Sequence, residues 1–128
     1  MSKYNIQEQI VVDSINYLCD ITHHANYNWW TDLNTGEKLK RNVGELLMLV
    51  VSELSEAMEG DRKNLMDDKL PHRKMFEVEL ADAIIRIFDI AGGLGLDLGR
   101  AFVEKMQYNA LREDHKREVR LAENGKKY

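Results

Sequence analysis

The sequence predicts an all-α protein built as a four-helix bundle, and three observations lead to this prediction. Apolar residues recur every three or four positions along most of the chain, and no stretch alternates strictly for long. A single proline, Pro71, leaves long stretches free to be helical. The chain has 128 residues, of which 44% are hydrophobic and 31% charged, as in globular proteins. We therefore expect one domain over residues 1–128, with short connections between its helices.

The first predicted helix covers about Tyr4 to Ala25. Its expected core positions are the apolar residues Ile6, Ile10, Val11, Leu18 and Ile21. Residues 26–40 lack a clear period and contain Asn34-Thr35-Gly36, which is typical of a loop. The second helix should run from about Asn42 to Glu59 and end at Gly60, because glycine is favoured just after a helix.

The third predicted helix follows Pro71 and runs from about His72 to Ala91. We expect three closely spaced glycines to end it, namely Gly92, Gly93 and Gly95. Asp97 is then placed to cap the N-terminus of a fourth helix that reaches at least Glu113. Residues 124–128 form a basic tail, which we expect to be solvated.

Two pairs of acidic residues occupy helix faces that should be apolar. Glu53 lies inside the apolar arc of the second helix, and Glu56 lies at the edge of that arc. The third helix is apolar around most of its circumference, so it should be buried. Its polar residues form one narrow stripe, consisting of Glu79, Asp82, Arg86 and Asp89.

A divalent cation best explains these carboxylates. A single acidic pair at this spacing is usually solvated, but buried carboxylates that crowd together repel one another unless a cation neutralises them. Arg86 could balance one of them in an ion pair, but it cannot balance four. Glu53, Glu56, Glu79 and Asp82 are therefore predicted to bind Mg²⁺, for which Mn²⁺ should substitute, because hard cations prefer oxygen ligands.

Composition argues against several other classes of protein. The formal net charge is −4, whereas nucleic-acid binders usually have a basic face. The longest aliphatic run, residues 46–51, is too short to span a membrane. One cysteine, Cys19, excludes an intramolecular disulfide, and residues 1–5 lack the apolar core of a signal peptide. We therefore expect a cytoplasmic protein that binds neither nucleic acid nor membrane.

The acidic pairs resemble the signature of the all-α nucleoside triphosphate pyrophosphohydrolases, a superfamily that includes MazG, dimeric dUTPases and dCTP pyrophosphatase. The family motif is Glu-x-x-Glu, a spacer, then Glu-x-x-Asp, which reads here Glu53-Leu54-Ser55-Glu56 and Glu79-Leu80-Ala81-Asp82. Three further segments are similar to segments of family members, namely Asn28-Trp29-Trp30, Lys105-Met106-Gln107-Tyr108-Asn109, and the end Gly125-Lys126-Lys127-Tyr128. The resemblance spans about residue 20 to the end.

The resemblance implies the reaction NTP + H₂O → NMP + PPi on a bound nucleoside triphosphate. The four acidic residues would hold one or two Mg²⁺ ions, and Glu56 would orient or deprotonate the attacking water, with Glu53 also essential for turnover. Three residues of the fourth helix region would bind phosphate or sugar, namely Lys105, Asn109 and Arg112. Base contacts would come from Asn28, Trp29, Trp30 and His24. The substrate we favour is the purine deoxynucleotide dGTP.

Several alternatives stay open from the sequence. One tryptophan could simply plug the end of the bundle instead of stacking on a base. A non-catalytic helical module could use its acidic stripe to bind a basic partner, and phosphoribosyl-ATP is another conceivable substrate. Di-iron chemistry is disfavoured because neither acidic motif ends in histidine. The strongly apolar third helix predicts a homodimer or homotetramer, which agrees with the assemblies that the resemblance implies.

Overall fold

The computed structural model describes residues 4–128, with the backbone alone at Glu113. Residues 1–3, which entered the expectation about a signal peptide, lie outside the described part. Every regular element of the described chain is helical. The five α-helices are α1 (Ile6–Ala25), α2 (Val43–Lys63), α3 (Met75–Leu94), α4 (Leu98–Leu111) and α5 (Arg117–Leu121). The all-α prediction is therefore confirmed, and no described helix is both long and apolar enough to cross a membrane.

The chain forms two compact units. One consists of Tyr17–Leu96, and the other of the described residues up to Asn16 together with Asp97–Tyr128. In the first of these units, α2 and α3 pack against each other. The buried cluster of this unit has five members, which are Trp30, Leu46, Val50, Ala83 and Ile90.

Helix α2 begins where the sequence predicts but ends later. The Asn42 side chain accepts a hydrogen bond from the Glu45 backbone N–H at 3.0 Å, which caps the helix N-terminus. The prediction of an end at Gly60 is wrong, because the helix continues to Lys63 and Asn64 takes the left-handed capping conformation. Gly60 is buried against α3, and a Cβ atom there would lie 2.8 Å from Met75 Cγ. Its small size serves helix packing and not helix termination.

The predicted end of α3 at Ala91 is also wrong, because the helix continues to Leu94. Gly92 and Gly93 lie within the helix, and only Gly95, with φ +67°, ends it. A Cβ atom at Gly92 would meet Cys19 O and His23 Cβ at 2.6 Å, and one at Gly93 would meet the Trp30 ring at 2.5 Å. Both glycines therefore allow close approach of other segments. The helix also begins at Met75 and not at His72.

The connections on either side of α2 are ordered turns. Residues 27–30 form a 3₁₀ turn, followed by a tight loop with an antiparallel bridge between Thr31 and Lys38. Before α3, buried Asp67 accepts hydrogen bonds from Lys69 N and Leu70 N at 3.0 and 2.7 Å. A bridge between Met66 and Lys74 closes this loop. These turns place Trp29, Trp30 and Asp67 beside the paired helices.

In the other unit, the predicted cap of the fourth helix is confirmed, but its predicted end is wrong. Asp97 accepts a hydrogen bond from Arg100 N at 3.2 Å and another from Asn16 Nδ2 at 2.9 Å. Helix α4 ends at Leu111 and not at Glu113, and the short helix α5 was not predicted. The tail is anchored, because Arg120 donates hydrogen bonds to Lys126 O and Lys127 O.

The apolar residues predicted to form the core of α1 are largely exposed. Val12 and Cys19 are its buried residues, at 3% and 2% exposure, whereas Ile6 and Ile10 are 82% and 58% exposed. The predicted stripe was offset because periodicity along one helix does not show which side meets a neighbour. A large part of this helix's apolar surface is therefore open in the single chain.

Candidate metal centre and adjoining cavity

Three of the predicted metal ligands meet between α2 and α3. One carboxylate oxygen from each of Glu53, Glu56 and Glu79 can be chosen so that all three oxygens lie within 4.8 Å of one another. The two helices pack directly, so the i, i+3 spacing of Glu53 and Glu56 turns both side chains toward Glu79 on the facing helix. We call these three residues the glutamate trio.

The three glutamates of the trio differ in their exposure to solvent. Glu79 is 8% exposed, the Glu53 side chain is 13% exposed, and Glu56 is open to solvent. Glu79 Oε2 is buried and has no hydrogen-bond partner among the described residues. Buried carboxylate oxygens normally have partners, so an oxygen without one indicates a group that a cation could satisfy.

The electrostatics of the trio also favour a cation. Burial, followed by the nearby Glu53 and Glu56 carboxylates, raises the pKa of Glu79 to about 8. A bound divalent cation would reverse this effect by stabilising the ionised form. The residues present therefore fit a hard divalent cation, both in donor type and in their unsatisfied charge.

Asp82, the fourth predicted ligand, does not belong to the trio. It lies one turn after Glu79 on α3, and its pKa is raised by burial and by the charge of Glu53, while Arg86 opposes the shift. The loop residue Asp67 adds to the negative potential at Asp82. Asp82 is thus electrostatically linked to the trio, and its role as a ligand stays a prediction.

A cavity of about 720 Å³ adjoins the trio through Glu53. This volume is in the range of sites that hold small organic ligands. Trp29 and Asn26 provide an aromatic ring and an amide on its wall. The charged residues of the wall are Arg41, Arg86, Glu45, Glu53, Asp82 and Asp89. Carboxylates outnumber guanidinium groups there, so an anionic ligand would need additional cations.

The two arginines of the cavity differ in their surroundings. Arg41 donates a hydrogen bond from Nη1 to Trp29 O at 2.8 Å, and its guanidinium lies over the Trp30 ring at 5.5 Å. Arg86 donates from Nε to Glu53 Oε1 at 2.8 Å, and its side chain is 40% exposed. Arg86 therefore connects the cavity wall to the glutamate trio.

The tryptophans predicted to contact a base have different positions. Trp29 is 71% exposed and lines the cavity, whereas Trp30 is 2% exposed and belongs to the core. Trp30 thus fills the interior, which is the alternative that the sequence left open for one tryptophan. Asn28 and His24 are exposed and do not line the cavity.

The neighbouring histidine has the more informative environment. His23 Nδ1 lies 2.9 Å from Asp89 Oδ1, and its ring contacts the Trp30 ring edge-on with centroids 5.1 Å apart. Asp89 belongs to the polar stripe that the sequence predicts on α3, but its partners could not be read from that stripe. The contributions of Arg41, Glu45 and Asn26 to the cavity carried no sequence signal that we recognised.

The predicted phosphate-binding residues belong to the other compact unit. Lys105 Nζ lies 4.7 Å from the Tyr108 ring centroid. Asn109 Oδ1 is buried without a hydrogen-bond partner in the described chain. Arg112 makes two hydrogen bonds to Asp114, at 3.0 and 2.7 Å, and so its guanidinium is already engaged. Phosphate binding by these three residues stays a prediction.

Comparisons of the chain with protein-family models, with curated proteins and with solved structures gave no match.

Proposed function

We propose that the protein is a metal-dependent nucleoside triphosphate pyrophosphohydrolase with a MazG-like four-helix fold. The observation that carries this proposal is the unpartnered, buried Oε2 of Glu79 within a trio of glutamates beside a ligand-sized cavity. Buried carboxyl groups next to an aromatic and arginine-containing wall suit a cation that is shared with a polyanionic ligand.

The proposed reaction is hydrolysis between the α- and β-phosphates. The oxygen of water forms a bond to the α-phosphorus, the bond from that phosphorus to the bridging oxygen breaks, and pyrophosphate leaves with that oxygen. Bound Mg²⁺ or Mn²⁺ would neutralise phosphate oxygens and lower the pKa of a coordinated water. Glu53, Glu56 and Glu79 would hold the cation together with Asp82, and Glu56 would also accept the proton of the attacking water.

Glu56 is the member of the trio best placed for proton transfer. It is exposed, whereas Glu79 is buried and Glu53 is paired with Arg86. An accessible carboxylate can take a proton from water and return it to solvent. Trp29 offers an exposed ring on the cavity wall for stacking on the base, and a deoxynucleotide such as dGTP is the substrate we favour.

The protein is further proposed to act as a homodimer or homotetramer. Large apolar side chains are exposed on both packed helices, at 53% for Leu47, 63% for Met48 and 48% for Ile84. Apolar surface of this extent in a single chain supports a subunit interface. Sedimentation equilibrium tests this: the wild type should be oligomeric, and Met48→Asp, which lies on the surface of the single chain, should shift it toward the monomer.

The proposed activity is tested by measuring pyrophosphate release from a panel of NTPs and dNTPs with Mg²⁺, with Mn²⁺ and with EDTA. Metal-dependent turnover of one or a few nucleotides is the expected result. A folded protein that releases no pyrophosphate from any nucleotide and binds no Mn²⁺ would overturn the proposal and favour the non-catalytic module with an acidic stripe.

A further inference from the structure

Arg86, on the wall of the cavity, contacts Glu53, which is a proposed ligand of the cation. Glu53 contributes to the glutamate trio, yet its Oε1 accepts a hydrogen bond from Arg86 Nε at 2.8 Å. In the described chain, Glu53 is the partner that the structure shows for this guanidinium. This bond uses Nε, and among the described residues no hydrogen bond is shown for the Nη groups of Arg86, which carry four N–H donors.

A divalent cation on the trio would weaken this ion pair. The cation would bind the Glu53 carboxylate and compensate the negative charge that attracts Arg86. It would also repel the guanidinium across a few ångströms in a partly buried site. Arg86 and the cation therefore compete for Glu53, and cation binding favours release of the arginine.

A released Arg86 would remain at the cavity, because its backbone is fixed on α3 between Asp82 and Asp89. Guanidinium groups stay charged and bind phosphate oxygens through a planar fork of N–H donors. Arg41, the other cavity arginine, is less available. Its Nη1 is bonded to the Trp29 carbonyl, and its side chain is only 18% exposed.

We propose that Arg86 is a phosphate-binding residue of the cavity, held by Glu53 until a divalent cation occupies the glutamate trio. This inference rests on the proposed function, because it takes the trio as the cation site. It assigns to Arg86 two opposite effects, competition with the bare cation and attraction of the cation-bound phosphate ligand. A purely structural ion pair would have the first effect without the second.

The test measures Mn²⁺ binding and then tripolyphosphate binding in the presence of Mn²⁺, by titration calorimetry, for the wild type, Arg86→Gln and Arg86→Lys. Without phosphate, Arg86→Gln should bind Mn²⁺ about twofold to fivefold more tightly, the range expected for loss of a partly exposed ion pair. With Mn²⁺ present, its tripolyphosphate affinity should fall about tenfold to a hundredfold, as expected for loss of a charged hydrogen-bond donor. Arg86→Lys should bind Mn²⁺ like the wild type and tripolyphosphate with intermediate affinity.

The control is Arg73→Gln, which removes an arginine that pairs with Glu77 on the exposed start of α3. It should leave both affinities unchanged. Wild type that binds Mn²⁺ normally, combined with Arg86→Gln that binds Mn²⁺ no more tightly or keeps its tripolyphosphate affinity, would overturn the role of Arg86 alone. Wild type that binds no Mn²⁺ would overturn the proposed function as well. Thermal melting of each variant verifies that it is folded.

Discussion

The indole N–H of Trp30 points at the carboxylate of Asp89, with Nε1 lying 3.0 Å from Oδ1 and 3.1 Å from Oδ2. This bond connects the turn before α2 to the second half of α3. His23 approaches the same Oδ1 from α1 at 2.9 Å. Because Asp89 also lines the cavity, these contacts hold one wall of the candidate site in place.

Replacing Asp89 by alanine should destabilise the protein by about 1–3 kcal/mol, because the buried indole N–H of Trp30 loses its acceptor. The loss should be smaller in a Trp30→Phe background, since phenylalanine has no N–H to leave unpaired. A double-mutant cycle by urea unfolding measures this coupling. Equal costs of Asp89→Ala in the two backgrounds would show that the bond contributes nothing to stability.

Gly93→Ala should destabilise the protein by about 1–3 kcal/mol through overpacking. The added Cβ would lie 2.5 Å from the Trp30 ring, which is itself buried and cannot move aside easily. Gly44→Ala is the control, because its Cβ would meet only Asn42 Oδ1 at 3.3 Å near the start of α2. It should change the free energy of unfolding by no more than about 1 kcal/mol. A Gly93→Ala protein as stable as wild type would contradict the packing seen here.

The stability of the metal-free protein should depend on the protonation of Glu79. Its pKa is raised from 4.5 to about 8 on folding. Between these two pH values the native state therefore holds a proton that the unfolded state has released. The stabilisation is complete below pH 4.5 and is lost as pH rises toward about 8. Thermal melts with EDTA should show this decline, and Glu79→Gln should lack this contribution. An identical slope in both proteins would exclude Glu79 as its source.

Added Mn²⁺ should stabilise the protein more strongly at pH 8 than at pH 6. Cation binding requires ionised carboxylates, and at the lower pH it must displace the proton of Glu79. The melting temperature with and without Mn²⁺ at each pH provides the measurement. A stabilisation that does not change with pH would argue against direct binding to Glu79.

Glu56→Gln should lower turnover by about 10²–10⁴-fold, because an amide cannot accept the proton of the attacking water. Glu53→Gln should abolish turnover while the protein stays folded. Glu59→Gln serves as the matched control one turn away on α2, where Glu59 pairs with Lys63 at the surface. Pyrophosphate release measured for the three variants tests these roles. Full activity of Glu53→Gln would remove the basis for the metal site.

Much of the helical framework followed from local patterns. The Asn42 region as the start of α2 and the Asp97 cap of α4 follow from residue types and spacing within about one turn. The intrusion of Glu53 and Glu79 into apolar faces is equally local, because it depends on the helical period alone. These features could be predicted because each involves residues that are neighbours along one helix.

Contacts between distant segments decided the rest. Gly60 and Gly93 have the residue type of helix ends, yet their positions against Met75 and Trp30 keep them inside helices. Likewise, the composition of the loop could not show that Trp30 is buried while Trp29 remains exposed. The sequence by itself determined the four longer helices and the intrusion of Glu53 and Glu79 into apolar helix faces. Tertiary structure alone decided that Glu79 meets Glu53 and Glu56, and that Arg86 holds Glu53, because these distances depend on how one helix packs across another.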